Sequence, residues 1–273
     1  MSTAAQSGSG KSIRRGSLPP IYEFIGNLRK SFLWAWLDTK LQYRRSRIGP
    51  LWETINVLVM LGGLSLVSSA IFGSSIVANI GYIGIGIIIW TAISSLVTEG
   101  SSVFVKNAGF LNGSTLGVDL YVGRSVFKII ITFVHHTILY FLGVLFFLVP
   151  ISWTSLLAIP GIFILFVNGF WVVTFFGFIC ARYRDVDPIV RNLLSLAFFV
   201  TPVFWNYRTI ASNRHFIVDY NILFYFIEII RSPLLGEVPP LSHYATVLVV
   251  TIVGYGLAYV VYRKMRSQLA FFV

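Results

Sequence analysis

LLAIPGIFILFVNGFWVVTFFGFIC, residues 156–180, runs without one charged side chain and is followed at once by Ala181-Arg182-Tyr183-Arg184. A hydrocarbon core about 30 Å thick takes roughly 20 apolar residues of helix, and this stretch supplies them in one piece. Residues 52–72, 80–97, 129–149 and 244–262 come close to the same length, while a sixth stretch, 189–205, is shorter, carries Arg191 at its start and runs into Pro202. The expected fold is an all-α polytopic membrane protein with six transmembrane helices. Composition agrees: 56% of residues are hydrophobic and only 11% charged, whereas a soluble globular domain carries about a quarter charged. The mean hydropathy is +0.80. A water-soluble class is excluded.

Orientation follows from Lys and Arg in the loops, because cations near span ends stay on the cytoplasmic side. Nine precede the first span, and residues 98–128, 181–192 and the C-terminal end hold three each, which is 18 of the 21. Residues 73–79 and 150–155 hold none, and the long outer segment 206–243 holds Arg208, Arg214 and Arg231. Both termini are therefore expected in the cytoplasm, with the protein multi-pass in the cytoplasmic (inner) membrane. The net charge of +11 is mainly a topology signal that can also attract anionic lipid or phosphate. Nucleic acid is not needed to explain it.

Three regions are expected: a disordered cytoplasmic tail over residues 1–20, a cytoplasmic interfacial helix with a basic loop over 21–50, and a six-span domain over 51–273. The tail is small, polar and basic, unlike a signal peptide. It contains Gly8-Ser9-Gly10-Lys11-Ser12, which ends like a phosphate-binding loop. That motif needs a glycine where Ala5 stands, and a strand before it that the sequence lacks. In the second region Ile25, Leu28, Phe32 and Trp36 recur at helical spacing, widened by Leu33 and Leu37, with Asn27, Lys30, Ser31, Asp38 and Thr39 on the other side. Such a helix suits either the membrane surface or a partner domain.

After it comes Gln42-Tyr43-Arg44-Arg45-Ser46-Arg47-Ile48-Gly49-Pro50-Leu51-Trp52, three arginines before a Gly-Pro break and a span opening on Trp. Two later stretches complete a pattern. One is Ala181-Arg182-Tyr183-Arg184-Asp185-Val186-Asp187-Pro188-Ile189-Val190, leading into Phe199-Val200-Thr201-Pro202-Val203-Phe204-Trp205. The other is Asn221-Ile222-Leu223-Phe224-Tyr225, followed by Glu228-Ile229-Ile230-Arg231-Ser232-Pro233-Leu234-Leu235-Gly236. Together they resemble the permease subunits of type-two ATP-binding-cassette exporters for polysaccharides and polyol phosphates, of the O-antigen, capsule and teichoic-acid kind. That family has Leu where Ile48 stands and Asn-Pro where Asn221-Ile222 stands. Taken without the resemblance, Asp187 reads as a cap of the fifth span with Pro188 at its first position.

The resemblance implies a homodimer, a separate ATP-binding-cassette ATPase subunit and a polyprenyl-diphosphate-linked glycan as cargo. It assigns coupling to the ATPase to Val103, Phe104 and Asn107 and to Arg182 and Asp185. Residues 99–124 read as the largest cytoplasmic loop after the N-terminus, with a short helix over 101–110 and a Gly-rich stretch over 112–117. Residues 216–235 are almost apolar yet lie between an outward-ending and an inward-going span, which fits a re-entrant helical pair. By resemblance this is an outer gate, with Tyr225, Glu228, Arg231 and Pro233 in it, and Glu228 and Arg231 are spaced to pair.

No covalent chemistry is expected of this chain. Neighbouring His135 and His136 point about 100° apart on a helix and do not form an i, i+4 chelating pair. No metal or cofactor is expected, and ATP and Mg belong to the partner subunit. Lone Cys180 excludes an intrachain disulfide. Trp52 inside and Trp153 and Trp205 outside read as interfacial belt residues. Arg44, Arg45, Arg47 and Gly49 are the candidate intake site for a diphosphate, since arginine matches phosphate oxygens bidentately. The competing explanation is topology alone. The expected function is ATP-driven export of a lipid-diphosphate-linked polysaccharide, with drug, lipid or teichoic-acid export as the alternative. A secondary transporter driven by an ion gradient would predict carboxylates in mid-span, and Glu53 and Glu99 lie only at span ends.

Overall fold

The computed structural model describes residues 21–273 apart from 50, 74, 114–116, 147–148, 150–151 and 210–215. The tail with its glycine-lysine motif lies outside the described residues. Helices α1 (Ile21–Gln42), α2 (Leu51–Phe72), α3 (Ile76–Lys106), α4 (Ala108–Gly113) and α5 (Val118–Leu145) form the first half. The second half holds α6 (Ala158–Arg182), α7 (Val186–Val200), α8 (Phe216–Asp219), α9 (Ile222–Leu234), α10 (Leu241–Met265) and α11 (Leu269–Phe272). Among the described residues there is no strand.

Five of these helices, α2, α3, α5, α6 and α10, are long and apolar enough to cross a membrane. The expected fifth span is α7, with 15 residues and hence a rise of about 22 Å, short of the hydrocarbon core. An irregular segment from Thr201 to Trp205 continues it, and Pro202 ends the helical ladder there. Asp187 does not cap α7. The cap position is Asp185, and Asp187 sits inside the first turn, paired with Arg191.

At the centre α3 lies against α6, with Phe104 and Phe178 rings 4.9 Å apart and both fully buried. That packing corrects the expected loop over 99–124. Helix α3 continues to Lys106 and α5 begins at Val118, so only residues 107–117, with α4 inside them, connect the two. The expected short helix over 101–110 is split at Asn107, its first part being the end of α3. Residues past Val97 stay helical because protein rather than lipid covers them, and hydropathy alone cannot show that.

Helix α1 packs on the chain itself through the side opposite its apolar stripe. Ser31, Ala35 and Thr39, at i, i+4 and i+8, are its buried positions, and they face α5. A Cβ on Gly123 of α5 would lie 2.6 Å from Ser31 Oγ, so the glycine permits that approach. Ser31 Oγ donates to the Leu120 carbonyl at 3.2 Å, and Asn27 Nδ2 to Asp119 at 2.6 Å. Phe32, Leu33, Trp36 and Leu37 are turned outward and exposed. The small polar side thus docks within the chain, and the aromatic stripe is open to lipid or to another protein.

Of the expected belt residues, Trp52 and Trp153 are exposed, but Trp205 is buried and its Nε1 donates to the Phe199 carbonyl at 3.1 Å. His136 is buried in the bundle. His135 lies with Nδ1 2.7 Å from the Ile131 carbonyl of its own helix, and Thr54 of α2 donates to the His135 carbonyl.

Candidate functional site

Two polar groups stand out in this apolar bundle, one at the start of the first span and one around α9. At the first, Ser46 N–H donates to the Tyr43 carbonyl at 2.9 Å and Gly49 N–H to Ser46 Oγ at 3.1 Å. Gly49 closes the turn at φ 62, a conformation that costs glycine nothing and other residues about 1–2 kcal/mol. Arg44, Arg45 and Arg47 project from it exposed, and among the described residues none forms an ion pair with a carboxylate. The nearby carboxylate Glu53 is engaged by Tyr43, whose hydroxyl donates to it at 3.3 Å. Burial and that carboxylate push the Tyr43 hydroxyl above the usual phenol range, so it remains a donor at neutral pH. Pro50 lies outside the described residues.

The expected coupling residues divide. Val103 and Phe104 are buried in the α3–α6 core and present no side chain to a partner protein. Asn107 stands at the α3–α4 break, with Nδ2 donating to the Val103 carbonyl at 2.7 Å. Its Oδ1 accepts from Arg124 Nη1 at 2.8 Å. Arg124 also pairs with Asp38 of α1 and lies 4.4 Å over the Trp34 ring, so one guanidinium ties α1, α5 and the break together. Beyond the break, Phe110 of α4 is 63% exposed. Arg182 and Asp185 are exposed as well; Arg182 reaches Gln268 at 3.4 Å and lies 5.2 Å from the Phe272 ring.

Beside them the sequence reading missed the partners of Asp187, which accepts from Arg191 Nε at 3.1 Å and from Ser101 of α3. Partial burial raises this carboxyl, but the bonds from Arg191 and Ser101 outweigh it and hold it below its ordinary value.

Around α9 the arrangement is closed. Asn221 caps the helix, its side chain accepting from Leu223 N–H at 3.0 Å. Glu228 and Arg231 are 3% and 0% exposed, with Arg231 Nη2 2.6 Å from Glu228 Oε2. Arg231 Nη1 donates to the Pro202 carbonyl at 2.6 Å, Ser232 Oγ to Glu228 Oε1 at 2.6 Å, and the guanidinium lies 3.8 Å over the Tyr82 ring of α3. Tyr225 donates to the Asp219 carbonyl at 2.9 Å, and the Pro233 carbonyl accepts from Thr154 at 3.1 Å. The i, i+3 spacing of Glu228 and Arg231 was visible in sequence. Tyr82 and Pro202 came from elements far away in the chain and were not. Outside this cluster Arg208 and Glu237 form an exposed pair, whose hydrogen bond holds the Glu237 carboxyl below its usual range.

Among the described residues no group of three His, Cys, Asp or Glu is placed to hold a metal ion. An apolar cavity of about 420 Å³ lies between α3, α6, α7, α9 and α10, lined among others by Ile93, Leu96, Leu165, Trp171, Leu194 and Phe226. The family model for the ABC-2 type transporter matches residues 31–235, from α1 to the end of α9. No curated protein matches the chain.

Proposed function

The chain belongs to the ABC-2 type transporter family, and from that premise we propose that it is the permease for a lipid-diphosphate-linked polysaccharide of the O-antigen or capsule kind. Membership makes it the membrane component of a transporter whose ATP-binding-cassette ATPase is a separate partner. The finer reading rests on the exposed arginines Arg44, Arg45 and Arg47, fixed on a hydrogen-bonded turn at the start of the first span with no carboxylate partner among the described residues. Unpaired cations at a membrane boundary are an anion site in waiting, and a guanidinium fork suits a diphosphate.

Both termini lie in the cytoplasm, the membrane is the cytoplasmic one, and ATP with Mg is bound and hydrolysed in the partner subunit. The polar end of the cargo engages the turn at Arg44–Gly49. Force from the ATPase enters at α4 and at Arg182 and Asp185, and Asn107 and Arg124 carry it toward α1. The α9 cluster of Tyr225, Glu228, Arg231 and Pro233 closes the outer side. A second copy completes the pathway, meeting the outward stripe of Ile189, Leu193, Leu196 and Val200 on α7, all exposed.

The apolar cavity favours one competing reading, export of a lipid or drug by a related permease. Reconstitution with the cognate ATPase separates the two by ATP-driven translocation of a fluorescent polyprenyl-diphosphate glycan against a fluorescent phospholipid. Joint replacement Arg44→Lys, Arg45→Lys and Arg47→Lys keeps charge and orientation but loses the planar fork. Glycan export is expected to fall about tenfold or more, as for loss of one or two strong bidentate bonds, with the complex still assembled. Wild-type export by the triple variant would leave these arginines only their topological role.

A further inference from the structure

Next to the basic turn is a second feature that the export reading does not use. Trp36, Thr39, Lys40, Tyr43, Gly49 and His135 line a cleft of about 300 Å³ between the end of α1, the turn and the middle of α5. Trp36 is 44% exposed, and Lys40 lies 5.8 Å from its ring with no carboxylate partner among the described residues. His135 has Nδ1 against the Ile131 carbonyl, which fixes the ring proton there and leaves Nε2 as an acceptor.

We propose that this cleft binds a phosphorylated saccharide, with the sugar ring against Trp36 and Tyr43 and its phosphates on Lys40 and the arginines of the adjoining turn. The inference rests on the glycan-export reading and names the part of that cargo recognised first. Cations alone would take any phosphate, whether from a phospholipid headgroup or from a lipid-linked sugar. The aromatic walls decide for the sugar: the C–H face of a pyranose offers apolar area to a ring, while its hydroxyls need acceptors such as His135 Nε2. Glu53, already engaged by Tyr43, repels an anion, so the phosphates lie on the Lys40 and arginine side and the sugar on the Tyr43 side.

The test uses the permease with its ATPase subunit in neutral phosphatidylcholine nanodiscs. Three probes are compared: farnesyl diphosphate carrying one N-acetylglucosamine, farnesyl diphosphate alone, and phosphatidylglycerol. Wild type is expected to bind the sugar-bearing probe more tightly than the bare diphosphate. Trp36→Ala is expected to weaken the sugar-bearing probe about tenfold, the scale of an aromatic anchor, and to leave the bare diphosphate unchanged. Trp36→Phe restores most of that loss, Lys40→Gln weakens both farnesyl probes, and Trp153→Ala, on the outer side, changes neither. Equal binding of the two farnesyl probes by wild type, or no effect of Trp36→Ala, overturns the saccharide site. So does displacement of the sugar probe by equimolar phosphatidylglycerol, which makes an ordinary lipid phosphate the occupant. None of these outcomes touches the export reading, which is tested by translocation and fails only if no lipid-linked glycan is moved.

Discussion

Arg231 and Arg47 carry the same guanidinium in opposite settings, and the contrast separates what holds this protein together from what is left free to act. Arg231 is 0% exposed, with a carboxylate, a backbone carbonyl and an aromatic face around it. Arg47 and its neighbours Arg44 and Arg45 are exposed, and among the described residues no carboxylate meets them. A buried charge with each of its nitrogens hydrogen-bonded is costly to disturb and offers little to a ligand. An exposed, unpaired charge contributes little to the fold and keeps its full capacity for an anion.

The largest effect should come from breaking the buried pair on one side. Glu228→Ala leaves Arg231 charged and buried without its counter-ion, and should lower stability by about 3–5 kcal/mol, read as a fall in the thermal midpoint of the purified protein in nanodiscs. The double replacement Glu228→Leu with Arg231→Met removes both charges at similar volume and should recover most of the loss, since well-packed apolar residues substitute for a buried pair at little cost. If Glu228→Ala were as stable as wild type, the closed cluster would be no more structural than the open one and the comparison would collapse.

A smaller effect sharpens the same contrast. Gly86 of α3 lets the turn after α7 approach, for a Cβ there would lie 2.8 Å from the Val203 carbonyl and 3.4 Å from Arg231 Nη1. Gly86→Ala must push that turn away and with it the Pro202 carbonyl that Arg231 uses, a strain expected to cost about 1–3 kcal/mol. Gly62 of α2 has nothing within 4 Å of a built Cβ, so Gly62→Ala should not destabilise. Equal thermal midpoints for the two variants would mean that the turn gives way freely.

How legible each region was follows from the range of its contacts. Five of the six expected spans were readable because lipid demands continuous apolar runs, and the Glu228–Arg231 pair because its members are one helical turn apart. The face of α1 was readable only in half. Its apolar stripe announced itself, while the docking face consists of Ser31, Ala35 and Thr39, small residues at four-residue spacing whose meaning depends on Gly123 opposite. Val103 and Phe104 were placed in a cytoplasmic loop because the expected span ends at Val97, whereas α3 continues and Phe178 of α6 covers them in the fold. Trp205 misled because burial under α9 and lipid contact ask for the same residue type.

The smallest effect belongs to the pair that stands between the two extremes. Asp187 and Arg191 are partly exposed, with side chains 31% and 44% accessible, and they fasten the start of α7 to α3 through Ser101 and the Thr98 carbonyl. Because the Asp187 carboxyl is held below its ordinary value, its stabilising contribution is complete above that ordinary value, about 3.9, and is lost as the pH falls through the lowered one. An exposed i, i+4 pair contributes only about 0.3–0.5 kcal/mol, so Asp187→Asn should lower the thermal midpoint slightly at pH 7. Below that ordinary value the difference from wild type should shrink as the pH falls, since the unfolded chain then binds a proton that the folded pair resists. A deficit that stayed constant from pH 7 to pH 3 would mean that Asp187 acts by hydrogen bonding alone, and the ionic link between α7 and α3 would have to be given up.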